Sequence, residues 1–554
     1  MLWFLRDYPL AAVLLRAATL ACQSLLIGGI VFCSCVLREE QSQEIFFARA
    51  RRLLWGAALG LIAAQVAFIA LDSAMLLGTS TLRWVDLLTA SYVLAGVLSI
   101  ATAGAFLLWL CRVSSRYSPR WLGFALPLLA ASVWTSHAAS RLEDRALLVI
   151  LTALHQLATA VWIASLPYLW IFLAAEQDAS IRDSIQASIL RRYSKMALAA
   201  AIVLVASGLW MACLYTGSWS AVYGTAYGVV LTAKVLLLLG VLAVGASNFV
   251  SIRVSIRAFP SNLQPLLLRI ARATEVEIGI GFIILLAAAS LTSQPPAVDL
   301  VQGRLSLPEI AARMSPRWPR LHTPPLSAMP SVQPMAQAIR NYDASLDVAG
   351  STNNAVEQAW SEYNHHWAGI VVLAAGVMAL LARSKKMTWA RNWPLVFLGL
   401  AVFLFFRADP EAWPLGPRGF WQSFYNPEDV EHRLFVLLIL SFVAFEWGVQ
   451  TGRIFSTKAA LVFPAVCALG GALLLTHNHS LGNIREELLA EMSHTAIAVC
   501  AVFAGASRWL EVRLAGKMSR RVASRFDWIW PACRMIWPVC LILIGLILLD
   551  YREA

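Results

Sequence analysis

The nine histidines are the residues of this 554-residue chain best suited to chemistry near neutral pH, because imidazole both ligates transition metals and exchanges protons there. Three of them, His477, His479 and His494, fall in one stretch, Leu474 to Thr495, which reads LLTHNHSLGNIREELLAEMSHT. His477 and His479 stand two apart. On an ideal helix they would diverge, whereas in an extended loop alternate side chains share a face, so an HxH pair there can chelate one ion. Asn483, followed three residues later by Glu486, is an N-cap with a capping-box partner and starts the next helix near Ile484. From that start Glu487, Glu491 and His494 lie on one face, and Glu491-x-x-His494 has the spacing of metal sites in helical bundles. Carboxylates within a spanning helix are costly and face a cavity, a partner or the bundle interior. Glu486 and Glu487 read as capping residues facing water; Glu491 and His494, deeper in the helix, suit metal handling and structural pairing equally.

The elements that position these residues follow from the solvent. The chain is 59% hydrophobic and 14% charged, against roughly 45–50% and about 25% in soluble domains. Its apolar blocks approach the ~20 residues that cross a ~30 Å hydrocarbon core, and in such segments only helices satisfy their own backbone. The expected fold is therefore an all-α polytopic membrane protein with about fourteen spanning helices, eight and then six. Residues 1–294 form the eight-helix block, 295–364 a polar, Pro-rich outer linker, and 365–554 the six-helix block. Met314, Met329 and Met335 in the linker read as filler, although thioethers suit Cu(I).

Alternate loops differ in basic charge. One set carries Arg49, Arg51 and Arg52, Arg191, Arg192 and Lys195, Arg269 and Arg272, Lys385 and Lys386, and Lys517, Arg520 and Arg521; the opposite loops are sparse in Lys and Arg. The positive-inside rule makes the first set cytoplasmic and places both termini outside. It also accounts for the net charge of +12 without a nucleic-acid partner. The opening MLWFLRDYPL carries Arg6 and Asp7 and runs straight into a block long enough to span, so no cleavable signal is expected. The nine cysteines lie almost wholly within apolar blocks, which argues against a disulfide framework. HExxH, GxSxG and Walker A patterns are absent, so the chain is not expected to be an enzyme, and any transport would be passive, ion-coupled or partner-driven.

On this topology all nine histidines, His137, His155, His322, His365, His366, His432, His477, His479 and His494, map to outer loops or outer helix thirds. Packing histidines scattered by chance would not segregate so completely. Asp72 and Lys234, each about two turns inside the outer boundary, are expected to form an intramembrane ion pair, with Lys234 snorkelling alone as the alternative. Cys33 and Cys35, near the inner end of helix one, read as packed or lipid-facing thiols, with Cu(I) capture as the other reading. Glu275 and Glu277, at the inner end of helix eight, are expected to meet Arg272 and Arg269, or else to line an exit path.

Helix five, LHQLATAVWIASLPYL, with His155 and Trp162, and the segment RRYSKMALAAAIVLVASGLWMACLYTGSWSAVYGTAYGVVLTAK, with Gly208, Gly224, Thr225, Tyr227, Gly228 and Lys234, resemble the CopD family of copper-resistance membrane proteins. Glu275 and Glu277 ahead of LTSQPP extend the likeness over about residues 120–296, while Ser136 stands before His137 where the family often has Gly. NHHWAG, DPEAWPLGPRGFW, Glu431-His432-Arg433, THNHSLGN and EMSHT resemble the C-terminal extension of longer members. The resemblance implies copper movement across the bacterial inner membrane, with uptake from a CopC-like periplasmic copper-binding protein. His137 and His155 would form one ligand cluster; His365, His366, His432, His477, His479, His494 and Glu491 would supply another. The alternatives are a redox protein holding haem b through His155, His432 and His494, and a non-transporting copper-binding partner of a periplasmic carrier or oxidase.

Overall fold

The computed structural model describes residues 2–37, 44–112, 119–174, 179–258, 263–300, 304–324, 355–476, 488–514 and 529–553. These residues are overwhelmingly helical and contain no strand beyond one isolated bridge between Ala412 and Arg418. Twelve helices are long and apolar enough to cross a membrane, and two shorter apolar helices, Leu122–Trp134 and Ala459–Leu474, accompany them. Together they occupy the fourteen places expected from the hydropathy blocks. The chain is an all-α, multi-pass membrane protein.

It divides into two compact units, one built chiefly from Met1–Ser218 and Lys234–Val298, the other from Trp219–Ala233, Asp299–Lys517 and Ala523–Ala554. The boundary differs from a simple cut at residue 294. Trp219–Ala233 joins the second unit, where Val229 packs with Leu305, Ile310, Leu488 and Leu489. Part of the expected linker is therefore packed structure: Leu305 donates its backbone N–H to the Gly224 carbonyl at 3.2 Å. A Cβ on Gly224 would lie 2.5 Å from the Leu305 carbonyl oxygen, so this approach needs glycine.

In the first unit the helices are α1 (Leu2–Val31), α2 (Glu44–Thr79), α3 (Ser91–Arg112), α4 (Leu122–Trp134), α5 (Arg145–Trp162), α6 (Leu166–Leu173) and α7 (Ala179–Thr216). After the short α8 (Trp219–Tyr223), which belongs to the second unit, come α9 (Ala226–Ala258), of which the first unit has the part from Lys234, and α10 (Gln264–Thr292). One hydrophobic block, Arg145–Leu173, becomes two helices because Pro167, at the start of α6, has no N–H to continue the ladder. Ser165 bridges the break by donating its hydroxyl to the Val161 carbonyl at 2.6 Å. α1 ends in a π-helical turn, Phe32–Val36, that turns Cys33 inward and leaves Cys35 exposed. The two thiols are not presented as a pair.

The second unit holds α11 (Leu307–Arg313), α12 (Ala355–Leu381), α13 (Val396–Arg407), α14 (Pro427–Gln450), α15 (Val462–Leu474), α16 (Leu488–Leu514) and α17 (Ile529–Leu549). Its core is aromatic: Trp393 packs against Trp537 and Phe463, each at 5.3 Å between ring centroids, and Phe397 meets Phe442 edge-on at 4.7 Å. Lipid tails are as apolar as these rings, so close packing rather than water exclusion holds the spanning helices together.

Candidate functional site

In the first unit the seam between α5 and α7 carries the polar side chains best placed for chemistry. His155 lies on α5, with its Nδ1 3.2 Å from Ser207 Oγ on α7. The Ser207 hydroxyl hydrogen is directed to the Val203 carbonyl, 2.6 Å away, so its oxygen accepts from an Nδ1–H. That network assigns the hydrogen to Nδ1 and leaves the lone pair on Nε2, the atom that would ligate a metal. One residue on, Gly208 makes room for the ring: a Cβ there would lie 2.9 Å from His155 Cε1. One turn from this contact, Thr152 Oγ1 is 3.6 Å from the sulfur of Met211. The seam thus offers an imidazole and a thioether, both suited to copper. Ser207 and Met211 carry no sequence signal beyond lying one turn apart on either side of Gly208.

Lys234, at the start of the first unit's share of α9, acts electrostatically on His155. It makes no ion pair with a described residue, and the expected partnership with Asp72 does not form. Asp72 Oδ1 instead accepts a hydrogen bond from the Tyr8 hydroxyl at 3.0 Å, with Arg16 as the cation that bears on it. Arg16 donates to Thr135 Oγ1 at 3.0 Å. The reason is positional: α1 reaches Asp72 with a phenol and a guanidinium, so α9 has no acid left to meet. His137 is half-buried at the head of a one-turn helix, His137–Ser140.

At the other end of this unit Glu275 accepts from Arg272 at 2.5 Å and from Trp170 Nε1 at 3.3 Å, as the sequence leads one to expect. Glu277 does not meet Arg269. Its Oε1 accepts from Asn248 Nδ2 at 2.5 Å, while Arg269 donates to Ser247 Oγ at 2.9 Å. The two α10 acids point to different neighbours because they are only two residues apart on a helix.

In the second unit α12, α16 and the segment after α17 bring several histidines near one another. The His365 ring stacks on Tyr551 at 3.7 Å and lies 5.7 Å from the His494 ring, centroid to centroid. His365 Nδ1 is 2.8 Å from the Ser361 carbonyl; a carbonyl only accepts, so Nδ1 carries the hydrogen and Nε2 the lone pair. His366 is different: its Nδ1 accepts from the Arg320 backbone N–H at 2.7 Å and its Nε2 faces the Tyr551 carbonyl at 3.2 Å. Both nitrogens are used to tie main chain together, which takes His366 out of the ligand set in this arrangement. His432 Nδ1 sits 2.6 Å from Asp409 Oδ1, the kind of carboxylate contact that orients an imidazole for a metal at its other nitrogen. Beside it Arg418 binds both Asp429 and Glu411 at 2.8 Å. Burial raises the Asp429 carboxyl above its ordinary range, with Arg418 opposing the rise.

Glu491 and His494 are buried in α16 at 6% and 8% exposure, with Thr495 Oγ1 3.4 Å from Glu491 Oε1. His477 and His479 lie outside the described residues, as do Asn483, Glu486 and Glu487. Among the described residues no three His, Cys, Asp or Glu side chains are grouped closely enough to hold a metal ion. Among the described residues His365 and His494 of the second unit are therefore neighbours, not an assembled cage.

Comparison with known proteins finds a likeness that includes α7 but not α5. A family model described as copper resistance protein D matches residues 187–291, the stretch that contains Ser207, Gly208, Met211, Lys234, Asn248 and Glu277. The copper transport protein CutJ of Bacillus subtilis is 29% identical over 172 residues, covering 31% of this chain and 30% of that protein. The match thus spans less than a third of the relative's length. No solved structure matches the chain. Over residues 187–291 the chain is thus similar to the CopD family of copper resistance proteins.

Proposed function

We propose that the protein carries copper across the bacterial inner membrane, inward from the periplasm, and so contributes to copper homeostasis. The observation that carries this reading is the α5–α7 seam, where His155 on α5, with Nε2 free of the Ser207 contact, lies one turn from the Thr152–Met211 contact, Ser207 and Met211 belonging to the family-matched part of the chain. The name of the Bacillus relative supports copper as the cargo. The second unit's His365, His432 and His494, with Glu491 and with His477 and His479 from the neighbouring loop, would receive the ion at the outer face, and His137 would act at the rim of the first unit. A CopC-like periplasmic protein is the donor that fits. Imidazole and thioether favour copper over hard cations, which prefer oxygen. Haem b has no observation in its favour.

Copper uptake into vesicles containing the full chain tests the proposal. His155→Ala is expected to lower the initial rate more than about tenfold, the equivalent of ~1.4 kcal/mol in binding, with little change in thermal stability. Wild-type vesicles that bind copper without accumulating it would favour the non-transporting alternative.

A further inference from the structure

Glu277 is 2% exposed and lies within the spanning segment Leu266–Asp299, about 16 Å along the helix from Leu266 at ~1.5 Å per residue. A carboxylate at such a depth requires a compensating charge, a cavity or a proton. The described residues supply no compensating cation. On its own helix Arg272 is bound to Glu275 and Arg269 reaches Ser247. From α9 the partner is the neutral amide of Asn248, and beyond it Gly245, where a Cβ would stand 3.7 Å from Glu277 Oε2. From α5 comes Trp162, which lines the same glycine. From α7 comes Tyr193, the titratable side chain that acts electrostatically with Glu277; its hydroxyl donates to the Trp162 carbonyl at 2.9 Å. An acid faced only by an amide, an indole and a phenol is most stable uncharged, yet one proton away from carrying a charge.

We propose that Glu277 is a proton-exchange site, at which one proton is released for each copper ion that enters the first unit. This deepens the transport reading and rests on it. In the resting protein Glu277 holds its proton on a carboxyl oxygen. When a copper cation enters, the O–H bond breaks, its electron pair stays on the carboxylate, and the proton passes to water on the side from which the cation came. When the cation leaves on the far side, the carboxylate takes a proton from water there. Copper and protons then move in opposite directions, and the carboxylate left behind offsets one positive charge of the entering ion. Asn248 serves both states: its Nδ2–H₂ donates to the carboxylate and equally to the carbonyl oxygen of the protonated acid.

The test uses vesicles of the full chain with a pH-sensitive dye inside, supplied with Cu(II) or, in a parallel set, with Cu(I) kept reduced by ascorbate. The wild-type lumen is expected to become more alkaline as copper enters. Glu277→Gln is expected to lose that signal and Glu277→Asp to keep it. An unchanged pH response per copper in Glu277→Gln overturns the proposal. Infrared difference spectra between wild type and Glu277→Gln give a readout independent of copper: a protonated-carboxyl stretch at neutral pH that moves in heavy water is expected, and its absence overturns the site. If Glu277→Gln does not fold, the same band is sought as a shift between wild type and Glu277→Asp, and no shift overturns the site equally. If wild-type vesicles accumulate no copper, the transport reading falls, and the infrared band alone decides whether Glu277 holds a proton.

Discussion

The two units differ in what meets their most deeply buried ionisable side chains, although the first also holds the Arg272–Glu275 pair. Deep in the first unit Glu277 is met by an amide and His155 by a serine hydroxyl, and Asp72 by a phenol with the Arg16 guanidinium bearing on it. In the second unit charge meets charge: Arg508 binds Glu446 at 2.8 Å and Glu511 at 2.7 Å, Arg383 binds Glu511 at 2.6 Å, and Trp537 Nε1 donates to Glu511 at 2.8 Å. A group with a neutral partner can gain or lose a proton, or take a metal, without stranding another charge. A group inside an ion network cannot, because changing one member leaves the others uncompensated in a low dielectric. On the proposed reading exchange chemistry belongs to the first unit, while the network of the second ties α14 and α16 to α17 and to the residues just beyond α12.

The largest expected effect comes from breaking that bracing. Arg508 is 6% exposed and Glu446 is fully buried, so Arg508→Ala leaves two carboxylates facing each other without their shared cation. Removing one partner of a buried pair costs about 3–5 kcal/mol, read as a fall in thermal unfolding temperature in detergent or as failure to accumulate. Replacing Glu446 and Arg508 together, by Gln and Met, is expected to recover most of the loss. An Arg508→Ala protein as stable as wild type would dissolve the distinction between the units.

Gly208→Ala sharpens the comparison from the other side. The added methyl would sit 2.9 Å from His155 Cε1, closer than real Cβ contacts, so either the α5–α7 seam opens or the ring swings off Ser207. Overpacking of this size costs about 1–3 kcal/mol. If the ring is what yields, copper binding falls with stability, and adding His155→Ala restores the stability but not the binding. A Gly208→Ala protein with unchanged unfolding and copper affinity would show that the close approach has no functional weight.

These contrasts bear on what the sequence can and cannot reveal. The apolar blocks are legible because a spanning segment must be long and apolar, and among the described residues twelve of the fourteen coincide with helices long enough to span and two with shorter ones. The outer histidines of the second unit are legible as neighbours, since hydropathy alone puts His365 and His494 at helix ends on one side. Partner choice is not legible. Hydropathy gives depth along a helix and leaves its rotation unspecified, and rotation is what turns Asp72 to Tyr8 instead of Lys234 and Glu277 to Asn248 instead of Arg269. Ser207 and Met211 escape for the same reason, being ordinary residues until α5 packs His155 and Thr152 against them. The α14–α17 network is hidden more deeply, for its members come from four separate segments and no local pattern links them.

The smallest expected effect tests the pairing that sequence favours and structure does not form. Asp72→Asn keeps an oxygen for the Tyr8 hydroxyl, and Arg16 retains its bond to Thr135, so the loss should be about 0.5–1.5 kcal/mol, the worth of an ordinary hydrogen bond. Lys234→Met removes an ammonium that has no described acidic partner and leaves an apolar stem of similar length. Because the two residues share no partner, their effects should add to within about 0.5 kcal/mol in a double-mutant cycle read by thermal unfolding. A coupling of 2 kcal/mol or more would restore the Asp72–Lys234 ion pair, and with it the view that the first unit also balances its buried charges against one another. Additivity would leave Lys234 facing His155, where its loss should be felt in copper uptake and not in stability.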